Sequence, residues 1–272
     1  MIAVAHSAVT VVNALASWKG AALGINLKVK AKAEIKEEDI DVKIKVRGKD
    51  YHDLSLVKEV VKVIRERTGM NFGVKINIDS EIPVAKGLKS SSAVANAVTV
   101  AILKALDIHL GDEEILKIGV EAAKRARVTL TGAYDDACAS YFGGLVFTDN
   151  RKMSLLKRER ISSLPVVLLV PSHKVETYSL RHIDFSVIKD SVERIFHMAF
   201  RGEWRYASFL NALAYASLLG YDIEPILEAY SLGATVGLCG KGPALFAITE
   251  EPEMIQNVWN GMGEIIKTEV FG

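Results

Sequence analysis

The chain is poor in cysteine: Cys138 and Cys239 are its two, far apart and neither in a CxxC pair nor beside a histidine cluster. That speaks against a disulfide scaffold and a structural zinc site, and it suits a reducing cytoplasm. An excess of charge of one sign is also missing. Thirty-four Lys and Arg against 33 Asp and Glu leave a formal charge of +1, so no basic field favours nucleic acid or anionic lipid. No apolar run is long enough to span a bilayer. The nearest candidate, residues 2–16, is mostly small and apolar, and Ala14-Leu15-Ala16 imitates a signal-peptidase site. No lysine or arginine precedes it, and His6, Ser7, Thr10 and Asn13 interrupt it. It reads as part of the mature fold of a soluble protein. Internal repeats, low-complexity tracts and long linkers are absent, and no G-x-x-x-x-G-K-S/T phosphate loop occurs. What remains is ordinary globular usage: 272 residues, 50% hydrophobic and 25% charged. That is enough for a sizeable core in one large domain or two smaller ones, and it rules out wholesale disorder.

Strand and helix periods alternate along the first half. From Ile25 to Ile35 the odd positions are apolar and Lys28, Lys30, Lys32 and Glu34 stand between them, the period of a half-buried strand. After the charged break Lys36-Glu37-Glu38-Asp39 the alternation resumes at Ile40, Val42, Ile44 and Val46, which predicts a hairpin. Leu56, Val57, Val60, Val61 and Ile64 make one helical face that Gly69 ends. Phe72 to Ile78 returns to strand. Helices are predicted from the serines at 90–92 to about Leu106 and from Asp112, as its cap, to about Ala126, with a strand at 143–147. The charged stretch Arg151 to Arg160 is read as a separator before the strand Val166 to Val170. Further on come helices near 186–200 and 203–219, a glycine-rich strand–turn–strand at 233–249, a helix near 252–261 and a last strand. The class is α+β, with two lobes meeting near residue 155.

The segment Pro83-Val84-Ala85-Lys86-Gly87-Leu88-Lys89-Ser90-Ser91-Ser92-Ala93 carries the chemistry. A helix start has unpaired N–H groups and a partial positive charge, so it favours an anion. Gly87 lets backbone approach a phosphate closely. The serines offer hydroxyls to phosphate or Mg²⁺, and Lys86 and Lys89 add positive charge. The same pattern also describes an ordinary serine-capped helix. Against that, the helix from Ser91 is small or apolar nearly all round, and Ser92, Asn96 and Thr99 fall on one stripe, as in the wall of a site.

Pro83, Gly87, Leu88, Ser90, Ser91 and Ala93 match P-x-x-x-G-L-x-S-S-x-A, the ATP-binding signature of the GHMP kinases, which the chain therefore resembles. Gly237-Leu238-Cys239-Gly240-Lys241-Gly242-Pro243-Ala244 resembles that family's third motif, and Gly132-Ala133-Tyr134-Asp135-Asp136 its G-x-x-D segment. The first motif is less usual: Ala5-His6-Ser7-Ala8-Val9-Thr10-Val11-Val12-Asn13-Ala14 has Ala8 for the usual basic residue and Ala14 for the usual glutamate. With Lys19-Gly20-Ala21-Ala22-Leu23-Gly24-Ile25 and Thr131 to Ala137, it is similar to the archaeal type of shikimate kinase.

The resemblance implies a two-lobed fold, with a nucleotide-binding lobe at 1–155 and a second lobe at 156–272. A left-handed β-α-β unit is expected in the first lobe and a ferredoxin-like arrangement in the second. It implies a cytoplasmic enzyme that phosphorylates the 3-hydroxyl of shikimate with ATP and Mg²⁺, with no nucleic-acid or membrane partner. Kinases of homoserine or mevalonate in the same family, and a non-catalytic metabolite sensor, are the alternatives. Nucleotide contacts are expected from Val84, Ala85, Lys86, Gly87, Leu88, Lys89, Ser90, Ser91, Ser92, Ala93, Val94, Gly240 and Gly242. Asp135 is the candidate to orient or deprotonate the acceptor hydroxyl, because phosphoryl transfer needs positioning and charge neutralisation. Asp136, about 100° away on a helix, is read as a helix-start carboxylate whose loss is mild. Ser92 and Glu121 are the metal candidates. Asn13, Lys19 and Arg181 are the substrate candidates, and Arg125 and Arg127 also offer a cation to the shikimate carboxylate.

Overall fold

The structure is a computed structural model and describes residues 1–172 and 182–272. Two long strands start it: β1 (Ile2–Val12) and β2 (Lys19–Lys36) pair antiparallel from Ile2↔Lys32 to Val12↔Ala21. Next come β3 (Ile40–Val46), β4 (Lys49–Tyr51), α1 (Ser55–Thr68) and β5 (Gly73–Ser80). They are followed by α2 (Ser90–Ala105), α3 (Asp112–Arg125), α4 (Tyr134–Phe142), β6 (Leu145–Asp149) and β7 (Ser154–Glu159). The sheet runs β4-β3-β5-β2-β6-β7, with β1 on the other edge of β2. Residues 29–36 of β2 hold β5 and residues 19–23 hold β6, so one strand carries both halves of the layer.

The hairpin expected between β2 and β3 is not there. β5 lies between them, and β3 pairs with it in parallel from Ile40↔Val74 to Val46↔Ser80, with α1 as the crossover. Period-two patterning fixes which face of a strand is buried, not which strand lies beside it. The separator expected at 151–160 contains β7, which pairs with β6 and carries the first sheet on to Glu159. Gly111, not Asp112, stands at the N-cap of α3, and Asp112, Glu113 and Glu114 fill its first turn. Helix α2 is buried from Ala93 to Thr99 and again at Ala101, Ile102 and Leu103, packed between the sheet and α1, α3 and α4.

The second layer begins at β8 (Pro165–Val170) and continues through α5 (Lys189–Met198), α6 (Trp204–Leu219) and α7 (Glu224–Ser231) to β9 (Thr235–Leu238). It closes with β10 (Leu245–Ile248), α8 (Pro252–Val258) and β11 (Glu264–Glu269). Helix α7 had no counterpart in the sequence pattern. The sheet is antiparallel throughout, in the order β11-β8-β10-β9. Counted within the lobe that is 4-1-3-2, the ferredoxin-like arrangement.

The chain end stitches the layers together. Val270 bridges Ile25 of β2, Phe271 N–H donates to Gly24 O at 2.9 Å, and Gly144 N–H donates to Phe271 O at 2.7 Å. The Phe271 ring stacks on His6 at 3.6 Å between centroids, in space that a side chain on Gly143 would fill. Phe271→Ala should therefore lower the thermal unfolding midpoint, by losing about 2 kcal/mol of packing from a half-buried ring. A midpoint equal to that of the parent in a thermal melt would show that the stitch is idle. Among the described residues, no helix is long and apolar enough to cross a membrane.

Candidate active site

A cavity of about 490 Å³ opens where the β5–α2 loop, the α3–α4 segment and the β9–β10 turn converge. The loop is held in an unusual shape: Ala85, Gly87 and Lys89 have φ of 59°, 84° and 59°. Left-handed geometry at a non-glycine residue costs roughly 1–2 kcal/mol, and such outliers persist where surrounding structure over-determines them. Here it does. Gly240 N–H donates to Thr10 Oγ1 at 2.9 Å, Ser7 Oγ donates to Leu88 O at 2.7 Å and Ala244 N–H donates to Lys86 O at 3.3 Å. A Cβ on Gly87 would stand 1.9 Å from Cys239 O. The close approach that Gly87 permits is thus to the glycine-rich turn of the second lobe.

The loop delivers the start of α2 to the cavity. Its N-cap is Lys89, with no side-chain cap hydrogen bond and no acidic residue in the first turn. The serine-capped alternative is not what forms. The first-turn N–H groups and the positive end of the dipole are left to an outside acceptor, and Ser90, Ser91 and Ser92 line the cavity beside them.

Helix α4 brings Asp135 and Asp136 to the same cavity, both buried in its first turn. Asp135 Oδ1 accepts from Asn150 Nδ2 at 2.7 Å, and Asp135 N–H donates to Asn150 Oδ1 at 3.1 Å. Asp136 Oδ1 lies 2.8 Å from Lys89 Nζ, with both side chains about nine-tenths buried. Burial works against the charge on Lys89, but Asp136 and then Asp135 outweigh it and hold the ammonium in its charged form. Burial pushes Asp136 up to about 7, with Lys89 pulling it down and Asp135 pushing it further up. Lys241, on the β9–β10 turn, is brought down to about 8 by burial and then by the charge of Lys89. Cys239 is fully buried and its thiol is pushed up to about 12, so it supplies no nucleophile.

The expected residues divide. Val84, Ala85, Gly87, Leu88, Lys89, Ser90, Ser91, Ser92, Asn13, Asp135 and Gly240 line the cavity. Lys86 does not: its Nζ donates to Ser172 O at 2.8 Å and to Pro171 O, which joins the loop to the second lobe. Ala93 and Val94 are buried in the core and do not line the cavity. Gly242 shapes the turn through its N–H bond to Cys239 O at 2.8 Å. The expectation that Glu121 faces a metal is corrected. Its carboxylate is taken by Arg67 and Arg125 at 2.6 and 2.5 Å on the flank where α1 meets α3. Arg125 is occupied there too, by Glu66 at 2.7 Å.

Asn13 lines the cavity with its amide already engaged. Nδ2 donates to Gly240 O at 2.8 Å, and Oδ1 accepts from Leu15 N–H at 3.0 Å. The Lys19 ammonium sits 5.9 Å from the centre of the Phe196 ring, away from the cavity. Arg127, Thr129, Thr131 and Lys241 do line it. Arg181 lies outside the described residues. Sequence reasoning missed Asn150, which meets Asp135 across the α4–β6 unit, and Gly20, which meets it because β6 pairs with β2. No local motif signals them.

Residues 55–144 match the family model described as the GHMP kinases N terminal domain. The chain is 53% identical over 262 residues to a shikimate kinase of Pyrococcus furiosus, covering 96% of each chain. It is 51% identical over 270 residues to a shikimate kinase of Thermococcus kodakarensis, covering 99% of this chain and 100% of that one. Among solved structures, the mevalonate kinase of Methanococcus jannaschii superposes with a TM-score of 0.77 at 17% identity, over 100% of this chain and 98% of that one. That last likeness shows the fold alone.

Proposed function

The chain belongs to the GHMP kinases, and from that premise we propose that it transfers the γ-phosphoryl group of ATP to the 3-hydroxyl of shikimate. Identity of 51–53% to shikimate kinases over nearly the whole chain is the observation that selects this acceptor. The architecture suits the chemistry. An uncapped helix start and a buried carboxylate open on one cavity, which is what positioning and charge neutralisation require in phosphoryl transfer. The phosphates would rest on the first turn of α2, where N–H groups and the helix dipole favour anions. Lys241 would add positive charge there. Asp135 would accept a hydrogen bond from the acceptor hydroxyl and take its proton as the new P–O bond forms.

Magnesium fits as an ion carried on the nucleotide. Among the described residues no three His, Cys, Asp or Glu side chains gather to hold a metal, and Mg²⁺ commonly keeps its waters and binds phosphate oxygens with one or two protein oxygens. Ser92 offers such an oxygen, and the bound ion would neutralise phosphate charge. On this reading the protein is a small-molecule kinase, and we place its work in the cytoplasm.

The deciding experiment is coupled ADP release with shikimate, homoserine, mevalonate and galactose offered in parallel, with and without Mg²⁺. Shikimate should be the one that drives magnesium-dependent turnover. Faster turnover with another alcohol would move the assignment elsewhere in the family. ATP binding with no turnover on any of them would favour a sensor.

A further inference from the structure

Asn150 follows directly on β6 and is 1% exposed. Both ends of its amide are engaged. Oδ1 accepts from Asp135 N–H at 3.1 Å and from Thr148 Oγ1 at 2.7 Å, and Nδ2 donates to Asp135 Oδ1 at 2.7 Å. A backbone N–H can only donate, so the amide oxygen must face it, and the NH₂ group must then face the carboxylate. One side chain thereby holds Asp135 by its main chain and by its carboxylate together. The other carboxylate oxygen lies over Gly20 of β2, where a Cβ would come within 2.5 Å of Asp135 Oδ2. Gly20 and Thr148 are paired across the β2–β6 ladder, so a single sheet contact places both neighbours of the carboxylate.

We infer that Asn150 is a positioning residue that fixes the Asp135 carboxylate toward the acceptor hydroxyl, with the bare Cα of Gly20 as its seat. The inference rests on the proposed kinase function. It goes beyond that reading by naming residues whose effect runs through Asp135 alone. The other groups that face Asp135 are Asp136 and Cys138 on its own helix, Lys89 from the loop and Tyr215 from α6. Lys19 of β2 turns to the Phe196 ring, and Asp149 of β6 accepts from Arg151 and Lys152 N–H at 3.0 Å. None of these is altered by a change at 150.

The test compares the parent with Asn150→Asp and Gly20→Ala, using the acceptor that the parent turns over. It measures kcat, KM for both substrates, ATP affinity and the pH profile of kcat. Asn150→Asp keeps the shape but sets two carboxylates face to face, which must share a proton. The acid limb of kcat should move to higher pH by about one unit or more. Gly20→Ala removes no hydrogen-bonding group, but its Cβ crowds the carboxylate out of place. Both variants should lose kcat by about a hundredfold while ATP affinity stays near that of the parent. Parental kcat and an unmoved acid limb in folded Asn150→Asp would overturn the inference. So would losses of kcat that only track losses of ATP affinity in both variants. A parent that turns over no alcohol at all would instead sink the proposed function, so the two failures are distinguishable.

Discussion

Asp135→Asn should bind ATP as the parent does and turn over almost no shikimate. The amide keeps the volume of the carboxylate and can still accept from Asn150 Nδ2, now 2.7 Å from Asp135 Oδ1, by turning its oxygen toward it. The fold and the α2 helix start are therefore left as they are. What is lost is the negative charge and the ability to take a proton from the acceptor hydroxyl. General-base contributions run on the order of 10² to 10⁴ in rate, so kcat should fall by about that factor with little change in ATP affinity. Coupled ADP release with shikimate reads the first quantity and equilibrium nucleotide binding the second. Turnover equal to that of the parent would remove Asp135 from the chemistry.

Asp136→Asn should behave differently, and not mildly. Its partner Lys89 is nine-tenths buried at 2.8 Å, and removing one member of a buried pair leaves the other charge uncompensated. Such losses are typically about 3–5 kcal/mol. Asp135 remains near enough to offset part of this, and burial already draws Asp136 toward its neutral form, so a smaller loss of about 1 kcal/mol is expected here, seen as a lower unfolding midpoint. Lys89 is also the N-cap of α2, so its displacement should weaken ATP binding, which Asp135→Asn does not. The double change Lys89→Met with Asp136→Leu separates the two effects. An apolar pair of similar volume should recover most of the stability, but not the nucleotide affinity. A fully stable Asp136→Asn with parental ATP affinity would show that the pair contributes nothing. The mild effect expected from the sequence rested on reading Asp136 as a helix-start carboxylate. Helix α4 does begin there, but against Lys89 of the β5–α2 loop.

Some of this was legible in the linear pattern, and the reasons are local. The periods at 25–35, 40–46, 56–64 and 72–78 mark β2, β3, α1 and β5 because a side chain's face depends on residues one to four positions away. The run from Pro83 to Ala93 marks an irregular loop entering a buried helix, for the same reason. Glu121 shows the limit. A glutamate on an amphipathic helix reads the same whether it faces a cavity or two arginines, and Arg67 comes from a different helix, 54 residues away. Strand β7 was hidden because Ser154–Glu159 is mostly charged or half-exposed. At a sheet edge only one face is packed, so the apolar signal is weak.

The sequence by itself determined the α+β class, the irregular loop that opens a buried helix and the absence of a Walker loop, each written in spacing along the chain, and its motifs resemble those of a kinase family. Only the tertiary structure decided that β5 separates β2 from β3, that Gly87 seats Cys239 O, that Lys89 pairs with Asp136 and that Asn150 and Gly20 enclose Asp135. These are contacts between segments tens to hundreds of residues apart, or, for Asn150, between the ends of a helix–strand unit. They are chosen by which sheet edges find each other and by which buried polar groups must be satisfied, and the spacing of residues along one segment carries neither.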